Sequence, residues 1–212
     1  VLMEMQQGVP SQSLTLLRHS NSGWERTPLL TDVLVSALDA SADDSFHVVL
    51  QEGPEQFRRL SFNEEGAIAS EEKFSLPAMD VVYGPSVTPR IYLDSGAATP
   101  TWREVGVDKD GDGKDDVVSL PQDIQVERYL FASGKDPVIY VLARLADNDA
   151  LQVIGINWRD SSVTTFFGQK GLDVDSPIRS PDGNNVDGIR IERERPRNYA
   201  SSPSLAQDSI FL

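Results

Sequence analysis

Apolar positions along this chain fall in short runs of four to eight residues, many alternating with polar ones. Gly, Pro, Asp, Asn and Ser cut the runs apart. This is a period-two, strand-and-turn pattern. It predicts strands at 1–6, 13–18, 33–38, 46–51, 57–62, 79–83, 90–93, 102–107, 117–120, 126–131, 138–145, 151–158, 163–167 and 188–192. One stretch, 29–40, has apolar spacing open to a helix, but its two valines and its leucines suit a buried strand better. The expected fold class is therefore all-β.

Faint internal repetition refines that expectation. Gln7-Gly8 ahead of 13–18 recurs as Glu52-Gly53 ahead of 56–61, at an offset of 43 to 45 residues. The segments 45–50, 89–93 and 137–142 recur at 44 and 48. A period in the forties with about four short strands per unit is what a β-propeller blade produces. A β-sandwich is the alternative. Residues 1–169 read as the β-repeat domain. Residues 170–212, rich in Asp, Ser, Pro, Gly and Asn, read as a loop-rich segment on the same domain, with one exposed, self-paired strand across the charge run 188–197.

Composition narrows the chemistry. The 212 residues include 33 acids and 19 bases, for a net charge of −14. That balance argues against nucleic acid or an anionic membrane as partner. No apolar run approaches the ~20 residues of a membrane helix. With no cysteine and two histidines, disulfide frameworks, thiolate zinc sites and a three-histidine zinc site are excluded. A start at Val1 reads as a mature or trimmed product.

The sharpest motif is Asp108-Lys109-Asp110-Gly111-Asp112-Gly113-Lys114-Asp115-Asp116, which fits D-x-D-x-D-G-x-x-D. Alternate positions in a tight loop aim Asp108, Asp110 and Asp112 at one point. Gly113 permits the turn, the Lys114 carbonyl supplies a fourth oxygen, and Asp116 closes the site. Hard oxygen donors in that number suit Ca²⁺. Five carboxylates within nine residues repel one another without a cation. Counted from Asp108, position 12 is Ser119, not the bidentate Glu of an EF-hand, and both flanks look β-like. The segment 102–120 resembles the calcium loops of FG-GAP/VCBS-type, integrin-like β-propeller repeats, where the loop joins two strands. The resemblance implies a calcium-dependent surface module for adhesion or for binding a protein or glycan at a cell surface. The segment 39–47 follows the same frame but lacks the glycine, and reads as a degenerate copy. Asp182–Asp187 and Asp147–Asp149 read as Asx turns.

Catalytic patterns are fewer. No nucleophile elbow accompanies His19 or His47, and His47 reads as a structural strand residue. Residues 90–97 resemble the hydrophobic-Asp-Ser-Gly-Ala turn of retropepsin-like aspartic proteases, with 151–158 similar to that family's later glycine motif. By that resemblance Asp94 would share a proton with its twin in a dimer. A glycosidase pair among 33 acids cannot be singled out. Trp24, Trp102 and Trp158 read mainly as packing residues, with sugar stacking as the alternative. The expected function is an extracellular, surface-borne or periplasmic calcium-binding recognition module. A hydrolase and a structural subunit of a surface appendage are the alternatives.

Overall fold

The computed structural model describes residues 2–5, 12–20, 23–40, 45–121, 123–146, 148–167, 173–191 and 197–200. Strands dominate them, and no α-helix occurs among them. The chain divides into two compact units, Val1–Ala78 and Met79–Leu212.

In the first unit, β1 (Leu2–Met5), β2 (Gln12–Ser20) and β3 (Gly23–Val33) form one antiparallel sheet. A second contains β4 (Val35–Ala40), β5 (Phe46–Gly53), β6 (Gln56–Phe62) and β7 (Ile68–Ser75) in chain order. Their alternating apolar residues make one core of Leu14, Leu16, Phe46, Val48, Leu50, Leu60 and Phe62. Phe46 and Phe62 stack with ring centroids 4.7 Å apart.

The 29–40 segment is two strands, not one. Asp32 takes a positive φ of 54°, and the chain breaks at Leu34 before β4 begins. Two further stretches of strand present no buried apolar face. Residues 24–28 of β3 are all exposed, as is most of β7. Backbone pairing to β2 and β6 holds them instead, helped by cross-strand ion pairs such as Arg59–Glu72.

In the second unit, β8 (Ala78–Tyr83), β9 (Pro89–Asp94) and β10 (Thr101–Glu104) form one sheet. The next contains β11 (Gln125–Ala132), β12 (Val138–Leu145), β13 (Asn148–Asn157) and β14 (Val163–Phe167). The last contains β15 (Ser176–Arg179), β16 (Val186–Ile191) and β17 (Arg197–Ala200). The near-continuous apolar runs of β12 and β13 have a simple cause: both faces of their sheet are covered. Ile139, Val141, Ala143, Ile154 and Ile156 pack with Val82 and Ile91 of the preceding sheet. Tyr140, Leu142 and Val153 pack with Val186, Ile189 and Ile191 of the following one.

That second core corrects the expectation for residues 170–212. The described part of the segment is a three-stranded sheet, and β16 is its central strand, with Ile189 and Ile191 buried. The charged residues around β16 masked its apolar alternation. Residues 192–196 of the charge run lie outside the described residues. The all-β expectation stands, in five open antiparallel meanders; among the described residues none is closed or propeller-like.

Candidate metal centre

Loop 105–116 leaves β10 and returns alongside it. Val117 bridges Arg103 antiparallel, and the Val118 N–H donates to the Trp102 carbonyl at 2.8 Å. The Glu104 N–H donates to the Asp116 carbonyl at 2.9 Å. The strand expected at 117–120 is reduced to this single bridge. Val118 instead drops into the core, with Leu120 packed against it.

Within the loop, the carboxylates organise the backbone. Asp108 accepts from the Gly111 N–H at 2.8 Å and from the Gly113 N–H at 3.0 Å. Asp110 accepts from the Asp112 N–H at 3.3 Å, and Asp116 from the Lys109 N–H at 3.0 Å. Gly111 and Gly113 sit at φ of 73° and 80°, the left-handed region that side-chain-bearing residues avoid. This folding brings one carboxylate oxygen each from Asp108, Asp110 and Asp116 within 4.8 Å of one another.

Asp112 lies outside that trio. The Asp112 carboxylate accepts from the Lys114 N–H at 2.8 Å, in an Asx turn. Lys109 Nζ lies 3.4 Å from Asp116 Oδ2. The backbone and ammonium bonds from Lys109 hold the Asp116 carboxyl below the usual carboxylate range. The donor set is all oxygen and anionic, with Asp108 and Asp110 exposed and Asp116 half-buried. Such a set fits a hard divalent cation with retained waters and offers nothing to a soft metal.

The fifth loop carboxylate, Asp115, turns away from the trio and accepts from the Gly106 N–H at 3.0 Å. Behind it lies a group that the motif alone does not reveal. Arg103 Nε donates to Asp94 Oδ2 at 2.7 Å, and its Nη1 donates to the Asp115 carbonyl. Arg103 thus ties the Asp94 turn to the acidic loop. Register could have exposed it, since Arg103 faces Tyr92 across the β9–β10 pair. Asp94 also accepts from the Gly96 N–H at 2.8 Å. The Arg103 bond, then the Gly96 bond, hold its carboxyl below the usual range. Burial, followed by the nearby Asp115 and Asp94 charges, pushes the Tyr92 hydroxyl up to about 12.

Other expected sites resolve as follows. Asp182 accepts from Ser180 Oγ at 2.7 Å and the Asn184 N–H at 3.1 Å, the expected Asx-type turn. His47 Nδ1 and Ser61 Oγ hydrogen-bond at 2.8 Å across β5 and β6, a structural role. Asp39 lies opposite His47 in register, while residues 41–44 of the degenerate loop, and Asp147, lie outside the described residues. Trp158 is buried, Trp102 packs on Tyr129 at 4.6 Å, and Trp24 is 70% exposed. No helix among the described residues is long and apolar enough to cross a membrane. Comparison with protein-family models, with curated proteins and with solved structures returns no match.

Proposed function

We propose that this chain is a calcium-binding recognition module in which Ca²⁺ pins loop 105–116 against β10. The observation that carries it is the convergence of Asp108, Asp110 and Asp116 oxygens within 4.8 Å, on a loop joining a strand to a bridge. The ion would take oxygens from these three and from backbone carbonyls or water. The finer proposal, a propeller-type repeat, rests on the resemblance of the 102–120 loop to those of FG-GAP/VCBS modules and on the repeat spacing in the forties. A site of this exposure suits calcium-rich surroundings, at ~10⁻⁴–10⁻³ M affinity, and so favours a module outside the cytoplasm, at a cell surface or in a periplasm. Its partner is a protein or glycan met through exposed loops. Trp24 offers an exposed aromatic face for such contact.

The aspartic-protease reading gains nothing from the geometry. A shared-proton pair needs a carboxyl that holds its proton, and Asp94 is kept ionised by Arg103. Calorimetric titration with Ca²⁺ tests the proposal. The expected result is a single site that Asp108→Asn weakens at least tenfold. Absence of binding at millimolar Ca²⁺ would refute it.

A further inference from the structure

Asp115 and Asp116 are neighbours on the returning limb of the acidic loop, and their side chains go to different partners. The limb runs extended along β10: the Glu104 N–H donates to the Asp116 carbonyl, and Val117 bridges Arg103. Successive residues of an extended segment project to opposite sides. Asp116 accordingly joins the oxygen trio, while Asp115 turns toward β9. There its carboxylate accepts from the Tyr92 hydroxyl and from the Gly106 N–H at 3.0 Å. Its carbonyl accepts from Arg103 Nη1, and Arg103 Nε donates to Asp94 Oδ2 at 2.7 Å. Tyr92 is 4% exposed, and the Asp94 and Arg103 side chains are largely buried. Tyr92 and Arg103 face each other in the β9–β10 register, so both grip Asp115 from one hairpin.

We propose that Tyr92 and Arg103 are positioning residues for the cation: by fixing Asp115 on the β9–β10 hairpin, they hold Asp116 aimed at Asp108 and Asp110 before an ion arrives. This rests on the calcium reading of the loop. Neither residue belongs to the trio, and both act through Asp115. The five carboxylates of the loop repel one another, which favours a splayed loop over an assembled trio. A loop that presents the trio only part of the time binds more weakly by the inverse of that fraction. Anchoring Asp115 from a buried hairpin keeps the fraction high, so less affinity is lost to ordering the loop. One net hydrogen bond shifts such a population by about twofold to tenfold.

Two charge-conserving variants of the full chain test it. Tyr92→Phe removes one hydroxyl, and Arg103→Lys keeps the cation but lacks the fork that reaches Asp94 and Asp115 together. Net charge is unchanged in both, so a change in affinity reports positioning. Calorimetric titration with Ca²⁺ is expected to show binding weakened about twofold to tenfold in Tyr92→Phe, and at least as much in Arg103→Lys. Hydrogen exchange reads the cause. In EDTA, residues 105–116 of Tyr92→Phe exchange faster than in the wild type while β12 is unchanged, and saturating Ca²⁺ restores the wild-type rate. A bond with a structural role alone would speed exchange throughout the unit and leave the affinity as it was. Wild-type affinity in both variants overturns the proposal and leaves the calcium reading in place. Loop exchange in EDTA that Tyr92→Phe does not alter overturns it too. A wild type that ignores millimolar Ca²⁺ overturns the calcium reading itself, and the positioning role with it.

Discussion

At the scale of single residues, three of the five loop carboxylates bring their oxygens together in a set that would suit a cation. Asp108, Asp110 and Asp116 converge, while Asp112 caps the Lys114 N–H. Asp112→Asn keeps that acceptor oxygen, so it is expected to change calcium affinity less than Asp108→Asn, as titration of both variants would show. Asp94 supports the loop from behind through Arg103, with both side chains largely buried. Asp94→Asn should leave the fold intact and lower stability by about 1.5 kcal/mol, the lower end for a charged hydrogen bond, read from denaturant unfolding. Its lowered pKa fixes the sign of the pH effect. The stabilisation is complete above the unfolded carboxylate pKa of about 3.9 and is lost as the pH falls below it. Acid unfolding of the wild type should therefore show a step below about pH 4 that Asp94→Asn lacks. The metal motif was legible in the sequence because spacing alone determines which oxygens a tight turn can gather. The Arg103 tie was not, because it depends on β9–β10 register.

At the scale of elements, the sequence reveals strands that bury a face and conceals those held only by pairing. Strands β5, β6, β12 and β13 announce themselves through Val, Ile, Leu and Phe at core positions. Strand β7 has exposed Glu71, Glu72 and Lys73 and no apolar face to betray it. Strand β16 reads from sequence as an exposed strand, because the charges in and around it outweigh Ile189 and Ile191. Ile189→Ala should cost about 2–5 kcal/mol, as for a large aliphatic residue cut from a packed core, measured by denaturant unfolding. On β13, a Cβ at Gly155 would come within 2.7 Å of the Phe166 ring. Gly155→Ala should therefore destabilise by about 1–3 kcal/mol through overpacking, and Phe166→Leu should recover part of that loss.

At the scale of the whole molecule, all-β architecture followed from period-two patterning, but the arrangement of sheets did not. Short-range alternation says which face of a strand is buried, not which sheet covers it. The repeat spacing in the forties matches the succession of meanders without fixing how they assemble. Net charge acts at this scale too. The acidic loop carries five carboxylates and two lysines, a local −3 within the total of −14. Bound calcium would reduce that repulsion where it is densest. Hydrogen exchange should show calcium-dependent protection in β9, β10 and residues 105–118, and none in β5 or β6, which hold no part of the loop. The most direct measurement is a thermal melt of the wild type and Asp110→Ala, each with Ca²⁺ in excess and with EDTA. Binding to the folded state alone raises stability by about 2.7 kcal/mol at a hundredfold excess over the dissociation constant. A rise in melting temperature with Ca²⁺ in the wild type, absent in Asp110→Ala, is the predicted result. A transition that neither calcium nor the substitution shifts would contradict the account.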